Sequence, residues 1–261
     1  MNRFPIGFIG HGAPTNGLRQ DGAPAAWRAW GETLPKPGAI LVISAHWLHQ
    51  PPVVGAGDTL PLIYDFFGFP EPLYRLRYPA PGAPELADET LGLLQRAGLS
   101  PERDESRGLD HGAWVPLLHQ FPAADIPVVQ VTAAFRDPAA NLALGRALAP
   151  LSRQGVFILG SGNIVHNLRL TNLASPDAPV DGWAKEFDDW CAAALERGDL
   201  DALADYRNLA PAAKLAVPTD DHFAPLLAVA AAALESGAAA LRYPHAGFEH
   251  QNLSMRCVEF A

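Results

Sequence analysis

The sequence is poor in cysteine and has no cluster of basic residues. Its 261 residues include only two cysteines, Cys191 and Cys257, which are too few for a disulfide framework and lack the spacing of a zinc ribbon. Lysine and arginine together number 19 against 28 acidic residues, giving a formal net charge of -9. Because nucleic acids and anionic lipids bind basic surfaces, neither is predicted as a partner. We expect two free thiols and a reducing compartment.

The sequence predicts neither a membrane-spanning nor a secretory segment. The longest apolar stretch near the C-terminus, FAPLLAVAAAAL, is shorter than the ~20 residues that cross a bilayer. The N-terminal MNRFPIGFIGHG lacks a long apolar run followed by a small-residue cleavage site. We therefore expect a cytoplasmic protein. The length is within the range of one α/β domain, so residues 1–261 are predicted to form a single domain.

Four short apolar runs predict β-strands at residues 5–9, 39–45, 126–133 and 155–162. Their hydrophobic residues are continuous rather than alternating, which is typical of strands covered on both faces. Helical segments with proline or aspartate near the start and glycine at the end lie between or after them, at 83–98, 137–155 and 218–237. Strands that alternate with helices predict an α/β fold, a three-layer α/β/α sandwich around a mostly parallel or mixed central sheet.

A long proline-rich connection covers residues 51–84. So long a segment with little secondary-structure signal, inside a compact chain, is typical of a functional loop. Its aromatic side chains either attach the loop to the body of the protein or form the wall of an apolar pocket of aromatic size. We take Tyr64 and Phe67 as candidate substrate contacts. The aromatic residues of this loop are Tyr64, Phe66, Phe67, Phe69, Tyr74 and Tyr78.

Histidines follow three of the predicted strands. His11 and His46 come after the first two strands, and His166 follows the strand and glycine turn of ILGSGNIVHN. Because the carboxyl ends of parallel strands meet at one edge of a sheet, these side chains are expected to converge. His222, in the predicted first turn of the helix after TDD, is a further candidate ligand, and His111 begins another helix. Imidazole groups suit zinc, iron(II), copper or nickel. Ordinary structural roles are assigned to His49, His119, His245 and His250.

Other catalytic motifs are missing. The sequence has no Gly-x-Ser-x-Gly elbow, no phosphate-binding Gly-Lys-Ser/Thr and no His-Glu-x-x-His helix. GSGNIV follows a strand but lacks the third glycine of a dinucleotide fingerprint. If the protein is an enzyme, a metal ion is therefore expected to carry the chemistry.

Eight motifs in order resemble the 4,5-DOPA extradiol dioxygenase family, within the class III extradiol ring-opening dioxygenases. They are GHGAP, LVISAHW, YDFFGFP, YPAPG, GLDHGAWVPL, ADIPVVQV, GSGNIVHNL and DHFAPLL, and they extend over nearly the whole chain. The resemblance implies metal-binding positions at His11, His46 and His222. It places His166 as a fourth ligand or as the acid/base, and His111 as a second catalytic histidine. The sequence differs from the family pattern around the first histidine, where Gly10 precedes it, so the substrate is left open.

The resemblance implies a non-haem extradiol dioxygenase that opens the ring of a catechol, such as a DOPA-like diol, using O2. One divalent metal is expected, with Fe(II) required for activity and Zn(II) possible as the bound ion. Two alternatives use the same ligands. A zinc hydrolase would activate water on the metal, whereas a non-catalytic metal-binding protein would not need His111 and His166. The partners expected are a small aromatic diol and O2, and the oligomeric state is open.

Overall fold

A mixed eight-stranded sheet lies at the centre of the computed structural model, which describes residues 3–261. The first two residues of the predicted domain 1–261 lie outside the described part, and the single-domain organisation stays a prediction. The strands in chain order are β1 (Ile6–Gly10), β2 (Ala39–Leu48), β3 (Val53–Gly55), β4 (Glu102–Asp104), β5 (Val128–Ala133), β6 (Val156–Gly162), β7 (Leu241–His245), β8 (Phe248–Glu249), β9 (Leu253–Ser254) and β10 (Cys257–Phe260).

Four parallel strands form the middle of the sheet. The strand order is β4-β3-β5-β2-β6-β1-β10-β7, and β8 and β9 pair separately. β5, β2, β6 and β1 are parallel to their neighbours, whereas β10 runs antiparallel to β1 and β3 antiparallel to β5. Since β2, β6 and β1 are adjacent and parallel, the segments that follow them leave the sheet side by side at one edge.

Helices cover both faces of the sheet, which confirms the predicted α/β sandwich. Helices α1 and α3 contribute to the hydrophobic core on one face, and α4 and α9 to the core on the other. The helices are α1 (Gly22–Thr33), α2 (Pro84–Arg96), α3 (His111–Gln120), α4 (Pro138–Leu148), α5 (Gly182–Glu196), α6 (Leu200–Ala204), α7 (Tyr206–Leu209), α8 (Ala213–Ala216) and α9 (Ala224–Ser236). Among residues 3–261, no helix is both long and apolar enough to cross a bilayer.

The continuous apolar run of β2 is explained by these two cores. Ile40 and Val42 pack into the core of α1 and α3, whereas Leu41 and Ile43 pack into the core of α4 and α9. All four side chains are fully buried. Because successive side chains of a strand point to opposite faces, a strand covered on both sides must be apolar at every position.

Two of the predicted element boundaries were wrong near the site. β2 continues beyond residue 45 to Leu48 and loses its regular register after Ser44. The helix predicted from residue 218 begins only at Ala224, because the carbonyl of Asp220 accepts hydrogen bonds from the N–H groups of Phe223 and Ala224 and closes a turn first. Consequently His222 lies in this turn and not in the first turn of the helix.

Candidate metal centre and active site

Three of the predicted metal-binding histidines lie together at the carboxyl edge of the sheet. His11 follows β1, His46 lies near the end of β2, and His222 lies in the turn before α9. One ring nitrogen of each lies within 4.8 Å of the others. The Nε2 atoms of His11 and His46 are only 3.2 Å apart. The tertiary structure therefore brings together residues separated by more than 200 positions.

Backbone contacts at Gly162 bring His11 and His222 to the same place. The carbonyl of Gly162 accepts the N–H of His11 at 3.0 Å, and the next residue, Asn163, donates its N–H to the carbonyl of His222 at 3.0 Å. A Cβ atom on Gly162 would lie 2.1 Å from that same carbonyl oxygen. Only glycine allows so close an approach, so the glycine at the end of β6 is a geometric requirement of the site.

Ser161 determines which nitrogen of His11 faces the pocket. The Ser161 hydroxyl donates its proton to the carbonyl of Gly112 at 2.5 Å. Its oxygen must then act as the acceptor towards Nδ1 of His11, which lies 2.9 Å away. Because a hydroxyl has one proton to donate, Nδ1 of His11 carries the hydrogen. The lone pair of His11 is therefore on Nε2, the atom that faces His46.

His46 presents a second lone pair to the same point. Its Nδ1 lies 3.6 Å from Oδ2 of Asp65, which favours the proton on Nδ1 and the lone pair on Nε2. The two Nε2 atoms are 3.2 Å apart, and their lone pairs repel each other unless a cation lies between them. Nitrogens bound to a tetrahedral ion at ~2.0–2.1 Å are ~3.3 Å apart, so the spacing fits a shared metal ion.

Burial keeps these imidazoles in the neutral form that binds metals. It lowers the pKa of His11 well below the ordinary value, and the neighbouring His46 and His222 lower it further. Burial also lowers the pKa of His46 well below its ordinary value, with His111 and His222 adding to the effect. Protonation would place positive charges next to one another in a low-dielectric site. A neutral imidazole is the state in which histidine coordinates a metal.

His222 is the third candidate donor, and one of its ring nitrogens has no hydrogen-bond partner in the described part of the chain. Within residues 3–261, its buried Nδ1 makes no hydrogen bond, although Oδ1 of Asp221 lies 3.4 Å away. That carboxylate instead accepts the N–H of His222 at 3.0 Å and the hydroxyl of Thr219 at 2.9 Å. Burial raises the pKa of Asp221, but the adjacent imidazole of His222, with smaller contributions from these two contacts, holds it far below its ordinary range. The donor set of three imidazoles beside two carboxylates therefore fits a divalent cation.

The other two predicted histidines lie beside this group. The ring of His166 stacks on the ring of His222, with a centroid separation of 3.5 Å and an interplanar angle of 6°, and it is not among the three whose nitrogens are mutually close. Burial, with His222 and His111, lowers its pKa well below the ordinary value. The ring of His111 lies 4.0 Å from that of His46, and its Nδ1 lies 2.8 Å from Oδ1 of Asp65.

A buried carboxylate joins the elements that carry His46 and His111. Asp110 is fully buried and accepts the Ser44 hydroxyl and the Gln130 amide, both at 2.6 Å. It also accepts the N–H of Ala113 at 3.2 Å and so caps the start of α3. Arg107 donates to the same carboxylate at 3.0 Å and lies 3.4 Å from the carbonyl of His46. The positions of the two histidines are thereby tied to one hydrogen-bond network.

A cavity of about 330 Å³ opens over the five histidines. Its size is within the usual range for small-molecule sites. From the long loop, Asp65, Phe66 and Phe69 line it, and Leu168, Leu173 and Leu253 also belong to its lining. A second cavity of about 350 Å³ lies near His49 and contains no other histidine. The apolar lining of the first cavity suits a flat aromatic ring next to the metal ligands.

The loop supplies this wall with different residues from those taken as substrate contacts. Neither Tyr64 nor Phe67 is part of the lining. Phe67 is 92% exposed, and the Tyr64 hydroxyl donates to the carbonyl of Leu76 at 2.8 Å while its ring packs against Trp114. Phe66 and Phe69 contact the pocket instead. The aromatic residues of this loop predicted a pocket wall, and the loop does line the cavity. They did not predict which of its side chains face the cavity.

Three polar residues of the site were missed in the sequence. Ser161 lies inside the predicted strand, and Asp221 lies beside a predicted ligand. Asp65 had a usable signal, since it is the only carboxylate in the aromatic segment 59–70. The four histidines given ordinary roles do not line the pocket. They are His49, His119, His245 and His250.

Comparison with known proteins shows which family the chain belongs to. Residues 8–255 match the family of the catalytic LigB subunit of aromatic ring-opening dioxygenase. This span includes all five histidines of the pocket. The chain belongs to the LigB family. Its resemblance to extradiol dioxygenases and the predicted ring-opening dioxygenase activity are thereby confirmed. Enzymes of this family are metal-dependent, in agreement with the donor set at the edge of the sheet.

Relatives of this LigB-family protein match it over most of its length. The protein called 4,5-DOPA dioxygenase extradiol from Beta vulgaris is 44% identical over 240 residues, 90% of this chain and 88% of the relative. The protein of the same name from Escherichia coli (strain K12) is 39% identical over 264 residues, 98% of this chain and 94% of the relative. A crystal structure of an uncharacterized protein from Escherichia coli K12 matches with a TM-score of 0.84 and 35% identity, covering 99% of this chain and 100% of the other.

Proposed function

We propose that this ring-opening dioxygenase acts on a catechol with a DOPA-like side chain, using one iron(II) ion bound by His11, His46 and His222. The observation that carries the ligand assignment is the group of three histidine nitrogens within 4.8 Å of one another. The substrate class is supported by relatives named 4,5-DOPA dioxygenase extradiol. Zinc suits the same three imidazoles and is the ion we expect in protein isolated without added iron.

The bound ion would supply Lewis acidity for the catechol oxygens and, as iron(II), electrons for dioxygen. The side chains of the protein bind and orient the substrate. Phe66 and Phe69 give the aromatic ring an apolar wall, which excludes water and holds the ring flat beside the ligands.

Two histidines are available to handle protons. A catechol loses protons when it binds as an anion, and a neutral imidazole within hydrogen-bond reach accepts them. We assign the proton transfer to His166, whose lowered pKa keeps it neutral and whose ring lies parallel to that of His222. We assign to His111 a hydrogen bond with a catechol hydroxyl. A well-placed general base contributes ~10² to 10⁴ in rate.

Oxygen consumption with defined catechols tests this function directly. The protein is freed of metal, loaded anaerobically with iron(II) and supplied with DOPA, unsubstituted catechol or a catechol carboxylate. We expect oxygen uptake equal to the catechol consumed, a coloured semialdehyde, and both atoms of ¹⁸O2 in the product. DOPA is expected to give the highest kcat/KM. Turnover that continues under argon, or in the zinc form alone, would support a zinc hydrolase instead.

A pair of histidines in one strand region provides the matched control. His46→Ala removes a proposed ligand and should abolish oxygen uptake. His49→Ala, three residues further along, removes an exposed side chain that donates to the carbonyl of Pro51 at 2.8 Å, and it should leave uptake unchanged. Equal activity in both variants would contradict the ligand assignment.

We also propose a cytoplasmic location. Cys191 and Cys257 are both buried and form no disulfide within residues 3–261, as is usual for proteins in reducing compartments.

A further inference from the structure

One carboxylate of the long loop faces two histidines of the pocket. Oδ1 of Asp65 accepts the backbone N–H of His111 at 3.1 Å and lies 2.8 Å from Nδ1 of the same residue. Oδ2 of Asp65 lies 3.6 Å from Nδ1 of His46. The two oxygens therefore face different rings. Oδ1 contacts both the main chain and the side chain of His111, whereas Oδ2 faces His46.

We propose that Asp65 is a positioning residue that fixes the ring orientation and the tautomer of His111, so that Nε2 of His111 faces the pocket with its lone pair free. The inference rests on the proposed function, in which His111 forms a hydrogen bond with a catechol hydroxyl. To receive the hydrogen bond that this hydroxyl donates, the ring must present a lone pair. A His111 ring with its proton on Nε2 could donate to the hydroxyl oxygen but could not accept the hydroxyl proton.

The tautomer follows from the chemistry of the carboxylate. An ionised carboxylate only accepts hydrogen bonds. Burial raises the pKa of Asp65, but its hydrogen bonds with His111 lower it by more and leave it below the ordinary value, so the carboxylate is ionised at neutral pH. The short contact between Oδ1 of Asp65 and Nδ1 of His111 therefore places the ring proton on Nδ1. A neutral imidazole has one N–H, so Nε2 is left as the acceptor.

The surroundings of His111 leave its ring little freedom. The side chain is 7% exposed. The ring of Phe66 meets it edge-on at a centroid separation of 5.6 Å, and the ring of His46 lies 4.0 Å away on another side. Packing alone restricts the position of the ring but does not distinguish its two nitrogens. That distinction is made by the hydrogen bond to Asp65.

The loop is attached independently of the Asp65 side chain. Ile63 donates its N–H to the carbonyl of Leu109 at 2.8 Å, and Leu109 donates to the carbonyl of Pro61 at 2.9 Å. Trp114 adds a hydrogen bond from its indole N–H to the carbonyl of Ile63 at 3.2 Å. Removal of the Asp65 carboxylate should therefore leave the loop in place. Its effect on His111 can be measured separately from loss of the loop.

Three variants separate these effects in the iron-loaded enzyme. Asp65→Ala removes both hydrogen bonds and should lower kcat by about 10- to 100-fold, as is typical when a partner that orients a catalytic or metal-binding histidine is lost. KM should change little, because Phe66 and Phe69 still form the wall. Asp65→Asn keeps an acceptor oxygen and should recover much of kcat. Asp58→Ala, an exposed carboxylate of the same loop, should behave as the unmodified protein.

A spectroscopic measurement tests the tautomer without activity. Ring ¹⁵N spectra of the metal-free protein should show His111 protonated at Nδ1, with the signal assigned by its disappearance in His111→Asn. In Asp65→Ala the His111 signal should move towards the Nε2-protonated form. In Asp65→Asn it should stay close to that of the unmodified protein.

The outcomes distinguish this inference from the proposed function. An unchanged His111 spectrum in Asp65→Ala would overturn the inference, as would a large rise in KM with unchanged kcat, which indicates a role in the pocket wall only. Loss of stoichiometric metal in Asp65→Ala would overturn it in favour of a ligand role, since His46, Asp65 and His111 also lie within 4.8 Å of one another. A shifted spectrum together with no oxygen uptake by the unmodified protein would support the inference about His111 and contradict the proposed function.

Discussion

The two sides of the pocket are built in different ways. On the histidine side, the backbone itself is fixed: His11 is hydrogen-bonded to the end of β6, and His222 is hydrogen-bonded to Asn163 just beyond it. On the aromatic side, the wall belongs to the long loop between β3 and α2, where Phe66 is buried but its neighbour Phe67 is 92% exposed. One side is determined by strand register and the other by the packing of individual side chains.

This difference indicates where the protein requires precision and where it tolerates change. Metal ligands must lie within a few tenths of an ångström of their positions, and adjacent parallel strands provide that. A wall against an aromatic ring requires only apolar surface of suitable shape, which a loop can supply with several combinations of residues. Substitutions on the histidine side are therefore expected to have larger effects than substitutions on the loop.

The largest expected effect is loss of the metal. Alanine at His11, His46 or His222 should abolish stoichiometric metal content, measured by elemental analysis after dialysis. His166→Ala should keep most of the metal while lowering turnover by the ~10² to 10⁴ expected for a lost general base. His111→Ala should slow turnover without releasing metal. Full occupancy in all three ligand variants would contradict the assignment, and metal loss confined to His111→Ala would show that the two remaining roles are reversed.

A methyl group at Gly162 should disturb the histidine side without removing any of the proposed ligand side chains. The Cβ of Gly162→Ala would lie 2.1 Å from the carbonyl oxygen of His222, so the turn before α9 must move. We expect a loss of about 1–3 kcal/mol in stability, typical of overpacking, and weaker metal binding by titration. Gly182→Ala is the matched control, because nothing lies within 4 Å of its added Cβ. Equal metal affinity in both variants would show that the close backbone contact is dispensable.

The histidine side should also make stability depend on pH in the metal-free protein. Burial lowers the pKa of His11, His46 and His166 well below 6.5, so below pH 6.5 the unfolded chain binds protons that the folded chain does not. Stability should therefore fall as the pH is lowered from about 7 to 5.5, by up to about 1.4 kcal/mol per pH unit for each histidine. Urea unfolding across this range measures it. His11→Asn should reduce the pH dependence of the free energy of unfolding. A dependence equal to that of the unmodified protein would show that His11 does not contribute to it.

The smallest expected effect concerns the loop. Phe69→Leu removes an aromatic side chain of the pocket wall and should raise KM for a catechol about 2- to 10-fold, the equivalent of about 0.5–1.5 kcal/mol for an aromatic contact. Phe67→Leu changes the exposed neighbour two residues away and should leave KM within about twofold. The steady-state kinetics of the two variants measure the contrast. A larger effect at Phe67 would show that the loop closes further over the substrate than in this structure.

Much of the fold could be predicted from the hydrophobic pattern and from the glycine and proline residues at the ends of elements. The four apolar runs correspond to β1, β2, β5 and β6, and glycine or proline marked several helix ends correctly. The short strands β3, β4 and β8–β10 were not predicted, because strands of two to four residues carry too little periodicity to stand out. β7 was not predicted because Arg242 and Pro244 interrupt its apolar residues. The start of α9 was placed too early because Thr219 and Asp220 are good capping residues. In the structure they form a turn that holds His222.

The sequence by itself placed His11 and His46 at one edge of the predicted sheet. Both residues follow predicted strands, and the carboxyl ends of parallel strands lie at the same edge. Only the tertiary structure decided that His166 stacks on His222, that Phe66 and Phe69 face the pocket, and that Asp65 reaches His111. The direction of a side chain in a loop follows no period. It is set by contacts with distant segments, here the pairing of Leu62 with Leu109, which local sequence does not encode.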